Sequence, residues 1–310
     1  MYRYILKRIV FVLITVLAVS FIIYGLMSLM PGNPGRSILG MTASQEAVDA
    51  LNEQLGENDP FLQRYGRYVY KAFLKLDLGN SYKTGKPVMQ TIAKRFPYTL
   101  TLALASTIFV AVFGVLIGVF SAVHQYSFAD NLFIVLSMIS ASMPQFWLGL
   151  LFILLFSVNL GLLPSHGVTS WTGFILPVLT VSLLGTARTL RLVRAQMLEN
   201  INADYIRTAR AKGATEKAVI WKHAFESSSV PIINTIGVRF GSMLGGSTVI
   251  ESVFAIPGLG SEIVEAIYNK DVPVITGSII FLTVIYCLII LLVDITQAFV
   301  DPRIKAKYSS

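Results

Sequence analysis

The chain has 310 residues, of which 54% are hydrophobic and only 14% charged, against roughly 25% charged in an ordinary soluble domain. With a mean hydropathy of +0.67, this composition excludes a soluble globular chain and indicates a polytopic membrane protein. The single cysteine, Cys287, excludes an internal disulfide, and the scattered His124, His166 and His223 form no cluster for zinc or haem. The net charge of +8 is distributed between loops as membrane topology requires, so it does not point to nucleic acid.

The charge-free run from Ile9 to Met30 has 22 residues, about 33 Å of helix, enough to cross a bilayer core. It reads as a first spanning helix within residues 1–30. The run exceeds the apolar core of a signal peptide and no small-x-small site precedes Pro31, so it is expected to be retained. Residues 31–97 carry nine basic and six acidic side chains, but a loop of that length crosses regardless of charge and is placed outside. Turn signals at Pro31-Gly32-Asn33-Pro34 and Asn58-Asp59-Pro60, with an amphipathic stretch from Phe61 to Leu76, make it a small ordered cap.

Tyr98 to Val123 is the second span, with Gly114 and Gly118 spaced so that a neighbouring helix can approach closely. The 57 residues from Asn131 to Ala187 contain no Asp, Glu, Lys or Arg, more than twice what one crossing needs, so this stretch must fold back. Leu163 to Gly167 is the natural break. It leaves Leu132 to Leu160 as a third span bent by Pro144, and Phe174 to about Val193 as a fourth. Arg188, Arg191 and Arg194 step along the inner end of the fourth and are expected to anchor it at the headgroups.

Pro231 to Phe254, interrupted by Arg239, is a fifth span, and Val274 to Val300, carrying Asp294 and stopped by Asp301-Pro302, a sixth. The expected fold is therefore all-α, with six transmembrane helices, a small extracytoplasmic segment after the first, and a helical core over 98–310. Basic residues decide the orientation: Arg3, Lys7 and Arg8 at one end, Arg194, Arg207, Arg210, Lys212, Lys217 and Lys222 after span four, and Arg303, Lys305 and Lys307 at the other end. All three sets belong in the cytoplasm, and so do both termini.

No catalytic apparatus stands out. The segment Gly79 to Lys86, GNSYKTGK, looks at first like a phosphate-binding loop, but its glycines are one residue too far apart and Pro87 replaces the Ser/Thr. Glu251, Glu262 and Glu265 have no matched partner on one helix face, which favours a surface or interface role. The informative region is the cytoplasmic loop 195–227. Within it Gly213 separates two short helical patterns, and Ala218, Trp221 and Phe225 make an apolar stripe beside Lys217 and Lys222. Such an element serves either the membrane surface or a cytosolic partner.

The run ADYIRTARAKGATEKAVIWKHAFESSSVP resembles the cytoplasmic loop of ATP-binding-cassette importer permeases, in the form used by the dipeptide, oligopeptide and nickel branch. Met30-Pro31-Gly32-Asn33-Pro34, Asp77-Leu78-Gly79-Asn80-Ser81, Arg95-Phe96-Pro97-Tyr98-Thr99-Leu100 and VIESVFAIPGLG (Val249 to Gly260) are similar to further blocks of that branch, and the early ones to its first permease subunit. The resemblance covers essentially the whole chain. It departs at Arg207-Thr208-Ala209, where the broader pattern has Glu-Ala-Ala, and at Ser227 to Ser229, where the branch more often has Asn and apolar residues.

The resemblance implies a heteromeric importer of a bacterial or archaeal inner membrane. Its other parts would be a second homologous permease, two ATPase subunits using ATP and magnesium, and an extracytoplasmic solute-binding protein. This chain would bind no cofactor or metal and catalyse nothing. Tyr205, Arg207, Thr208, Ala209, Arg210, Ala211, Lys212, Gly213 and His223 would form the coupling loop that seats on an ATPase. Within the bilayer, Gly237, Gly241 and Gly245 recur every four residues and make a smooth face for helix packing, with the partner permease or within the chain. Arg239 would cost at least ~2.5 kcal/mol facing lipid, so it should face a water-filled path or a carboxylate, with Asp294 a possible partner. Glu251, with Phe254, Pro257, Gly258 and Gly260, would build an outer turn for docking or gating. Peptides are the leading solute, nickel chelates or other small solutes the runner-up, and an ion-coupled secondary transporter a remote alternative.

Overall fold

The computed structural model describes residues 2–30 and 32–300. Pro31, the side chain of Arg3, and Asp301, Pro302, Arg303, Lys305 and Lys307 lie outside what is described. Among the described residues every regular element is a helix, and the one extended pairing is an isolated bridge between Asn80 and Pro87.

Among the described residues four helices are long and apolar enough to cross a membrane: α1 (Tyr2–Ser28), α5 (Val88–Val123), α8 (Trp171–Ile201) and α13 (Val272–Val300). A fifth crossing follows if α6 (Phe128–Ser142) and α7 (Gln145–Asn159) count as one. They meet at 105° around Met143 and Pro144, a far sharper turn than a proline kink, because Met143 is extended where the helix would continue. The remaining long helix, α10 (216–246), carries Asn234 and Arg239 in its middle and ends at Gly246. Ser247 then separates it from α11 (Thr248–Val253), so the helix expected over the fifth span, Pro231 to Phe254, is broken near its C-terminal end.

The helix that contains the expected second span, Tyr98 to Val123, is longer than that span: α5 starts at Val88 and carries Pro97 in its interior. The proline removes one main-chain donor, a modest cost where the next turns are packed against α8 and α10. Gly114 and Gly118 lie against Thr189, Leu190 and Val193 of α8, where any added Cβ would collide. The neighbour they admit is α8.

Outside the bundle, α2 (Pro34–Leu39), α3 (Gln45–Leu55) and α4 (61–74) form the cap. Asn33 caps α2 by accepting from Arg36 N at 3.1 Å, and Pro34 opens the helix where its missing N–H costs nothing. Asn52 closes the unit, accepting from Gly35 N at 2.8 Å and donating to Asn33 Oδ1 at 2.9 Å. The amphipathic face of α4 lays Phe61, Tyr65 and Tyr68 on Phe21 and Tyr24 of α1.

Two apolar cores run through the molecule. One joins Val88, Ile92, Leu102, Leu176, Ile250, Phe254, Leu259 and Ile275. The other joins Val119, Val193 and Met197 to Ile206, Val219 and Ala224, so the polar segment between α8 and α10 folds onto the bundle end.

Candidate functional site: a helical elbow and the buried charges behind it

The loop expected over 195–227 is helical for most of its length. Residues 195–201 finish α8, α9 runs Asp204–Ala211, and α10 begins at 216. Gly213 makes the corner: its φ of +82° is left-handed, and no atom lies within 4 Å of where a Cβ would be. Ala214 N donates to Ala209 O at 3.2 Å, and Thr215 Oγ1 caps α10. Arg210 grips Glu216 across the corner at 2.8 Å. That contact lowers the Glu216 carboxyl below the usual glutamate range and raises the Arg210 guanidinium.

The elbow has two faces. Ile206, Val219 and Ala224 are fully buried against α5 and α8. Outward stand Tyr205, 45% exposed, and Trp221, 42% exposed, among the exposed Arg207, Thr208, Arg210, Ala211, Lys212, Gly213, Lys217 and Lys222. Ala209 and His223 are half-buried between the faces. Trp221 meets Phe225 ring to ring at 5.4 Å, so the aromatic part of the expected stripe is partly open to a partner, while the residues that hold the elbow are its neighbours one position away.

Polar bonds tie the elbow to α8. Tyr205 OH donates to Asn200 Oδ1 at 2.9 Å, and Asn200 Nδ2 donates to the buried Ser228 Oγ at 2.7 Å. Within the departing run Ser227 to Ser229, Ser228 is therefore an internal bond and no docking contact.

Arg194 is not a free headgroup anchor. It donates from Nε and Nη2 to both carboxylate oxygens of the fully buried Asp130 at 2.7 and 2.8 Å. Asp130 also accepts from Ser121 Oγ and from Tyr126 N at 2.9 Å. Sequence reading missed Asp130. Its signal was an acid at the start of an otherwise charge-free stretch, facing a basic row on the next span.

Asp294 is likewise taken, by Arg8 of α1 at 3.0 Å. Arg239 instead lies on α8, its Nη2 donating to Val181 O at 2.9 Å and its guanidinium filling the space left by Gly185. Its Nε is buried without a hydrogen-bond partner. The group borders a small cavity of about 140 Å³ that Gln145, Ser242 and Ser247 also line. Gly237 and Gly241 pack on Val293, Tyr286 and Ile289 of α13, within the chain, and nothing lies near Gly245. Of the two packings open to these glycines, Gly237 and Gly241 show the one within the chain.

Of the three acids for which a surface or interface role was expected, Glu251 is not at the surface of the chain. It is wholly buried and accepts from Thr99 Oγ1 at 2.8 Å, Ser247 Oγ at 2.8 Å and Ser261 N at 2.9 Å. Gly258 and Gly260 leave the room its carboxyl occupies. Thr99 accepts from Leu259 N at 2.8 Å in turn. The carboxylate thus joins α5, α11 and α12 (Leu259–Tyr268).

The GNSYKTGK loop does wrap an anion, and that anion belongs to the chain. The buried Asp271 accepts from Ser81 Oγ, Tyr82 N at 3.1 Å and Lys83 N at 3.4 Å. Among the described residues no three His, Cys, Asp or Glu side chains stand where they could hold a metal ion.

The apolar bundle thus exposes a basic, aromatic elbow and uses its phosphate-loop-like segment to hold its own aspartate. Two family models cover nearly all of it: the binding-protein-dependent transport system inner membrane component over residues 114–306, and the N-terminal component of the same system over residues 1–103. The chain belongs to this family. It is a multi-pass inner-membrane permease subunit of an ATP-binding-cassette importer, and in this family ATP hydrolysis resides on separate subunits.

Among curated relatives, the chain is 36% identical over 307 residues to the glutathione transport system permease protein GsiC of Escherichia coli strain K12, covering 99% of this chain and all of that one. The protein of that name from Salmonella paratyphi A matches to the same extent. Among solved structures, an inward-facing form of the MetNI methionine ABC transporter aligns with a TM-score of 0.58 at 23% identity, over 69% of this chain and 97% of that one. This last likeness speaks to the fold.

Proposed function

We propose that this subunit passes di- or oligopeptides handed to it by an extracytoplasmic binding protein, together with a second homologous permease and two ATPase subunits. The observation that carries the peptide reading is full-length similarity to permeases named for glutathione, itself a tripeptide. Glycine-cornered α9 and the start of α10 dock on an ATPase through Tyr205, Trp221 and the surrounding cations. Because Ile206, Val219 and Ala224 fix this elbow to α5 and α8, a displacement by the ATPase moves the bundle instead of bending a loose loop.

In this reading the chain crosses six times, the α6–α7 pair counting once and α10 supplying the remaining crossing, with both termini in the cytoplasm. The basic residues around the elbow and at the start of α1 support that orientation. Residues 31–97 then lie outside, where the binding protein arrives. Arg239, with Gln145, Ser242 and Ser247 around its cavity, lies on the solute path and meets the carboxylate of a passing peptide.

Isolation of the tagged chain in mild detergent, followed by uptake into vesicles, tests this. ATPase subunits and a second permease should co-purify, and peptide uptake should require ATP and the binding protein. Uptake that follows a proton or sodium gradient and ignores ATP would remove the proposal.

A further inference from the structure

A second cavity, of about 690 Å³, lies between the cap and the ends of two spanning helices. Tyr24, Met27 and Met30 line it from the end of α1, Val272, Pro273 and Thr276 from the start of α13, and α2 and α4 close the other side. Its cations are Arg64, Arg67, Lys71, Lys83 and Lys270, against the carboxylates of Glu57 and Asp77. Arg64 is held by Glu57, Arg67 by Asp59, and Lys83 stands 3.6 Å from Glu265. Lys71 and Lys270 have no carboxylate within ion-pair distance among the described residues. Two hydroxyls on the wall are buried without partners: Tyr68 OH, and Thr276 Oγ1 on a side chain only 2% exposed.

An uncompensated buried hydroxyl costs free energy unless something bonds to it. Two such groups on the wall of a cavity that two exposed ammoniums without carboxylate partners also line suit a group rich in anionic acceptor oxygens. The position narrows the class. The site sits where α1 ends at Ser28 and α13 begins at Val272, spanning helices end near the lipid headgroups, and its wall is part polar and part methionine and proline. We propose that this cavity holds the headgroup of an anionic phospholipid, its phosphate between Lys71 and Lys270 and within reach of the Thr276 and Tyr68 hydroxyls. A lipid seated there braces the cap against α1 and α13.

Native mass spectrometry of the assembled importer in detergent, titrated with phosphatidylglycerol, phosphatidylcholine or inorganic phosphate, separates the sources. Phosphatidylglycerol should be retained in preference to phosphatidylcholine. The Lys71→Gln/Lys270→Gln variant should lose that retention by about tenfold or more, and Thr276→Val, which changes no charge, by a smaller factor. Lys86→Gln/Lys94→Gln, which removes two lysines outside the cavity, should bind like the wild type. Equal retention of the two lipids by the wild-type importer overturns the proposal whether or not the variants assemble, and so does undiminished retention by an assembled Lys71→Gln/Lys270→Gln importer. Saturation by inorganic phosphate that displaces phosphatidylglycerol would make this a free-anion site and likewise overturn it.

Discussion

Asp130 and Arg194, 64 positions apart, meet in a two-pronged ion pair with the carboxylate fully buried. The pair links the start of α6 to the C-terminal half of α8, the helix that leads into the elbow. Removing one partner strands a buried charge, a loss of roughly 3–5 kcal/mol, whereas an apolar pair of similar volume is far less harmful. Arg194→Met should therefore lower the melting temperature of the purified importer, and Asp130→Leu/Arg194→Met should recover much of the loss. A double variant that melts no higher than Arg194→Met would mean the carboxylate was never stranded.

The corner at Gly213 predicts a separation of assembly from coupling. Any side chain at a φ of +82° pays roughly 1–2 kcal/mol of backbone strain, and Gly213→Pro cannot adopt that angle at all. Gly213→Pro and Ala209→Asp should leave the chain in the membrane while abolishing ATP-dependent uptake. The exposed Arg210–Glu216 contact is solvent-screened and weak, so Glu216→Gln should transport at near wild-type rates. Unchanged transport and ATPase association in Gly213→Pro would refute docking at this corner.

Glu251 should be far less tolerant than Glu265, which is 60% exposed. Glu251→Leu strands the Thr99 and Ser247 hydroxyls and the Ser261 amide, each a cost of about 1–3 kcal/mol, whereas Glu251→Gln retains one acceptor oxygen and should fall between. Gly260→Ala pushes a methyl into the same carboxylate and into Thr248, and should also destabilise the fold. Thermal unfolding in detergent reads all three. Equal melting of Glu251→Leu and Glu265→Leu would show that the outer turn does not depend on the buried network.

How legible these features were in the sequence depends on the range of the interaction. Apolar runs located α1, α5, α8 and α13, and the glycine at 213 located the elbow, because each is a property of neighbouring residues. The helical turns before Tyr98 were not legible, because α5 runs from Val88 through Pro97 over residues that carry Lys94 and Arg95 and so break the apolar run. The destinations of charged side chains were not legible. Arg194 finds Asp130, Asp294 finds Arg8, and Glu251 finds Thr99 152 positions away. Each pairing follows from helix order in space, which a hydropathy pattern does not encode. Ser228 shows the same limit: a departure from the family pattern at the surface of the sequence is a buried bond to Asn200 in the fold.

Arg239 carries the last prediction. If α10 crosses the bilayer as proposed, its guanidinium is retained against a cost of ~2.5 kcal/mol or more, and one carbonyl accepts from it while Nε bonds to nothing. With Asp294 engaged by Arg8, no carboxylate of the described residues neutralises it. If the missing acceptor is the carboxylate of a passing peptide, Arg239→Ala should cut uptake of a free peptide strongly and uptake of its C-terminally amidated form much less. Arg239→Lys keeps the charge but loses the forked geometry, and should lie between them. Leu292→Ala, at a side chain 63% exposed on α13, controls for membrane-helix truncation and should transport normally. Melting temperature and subunit stoichiometry must be measured alongside, since a purely packing role would lower both peptides' uptake together with stability. Equal losses for free and amidated peptide would assign Arg239 to the fold and take it off the solute path.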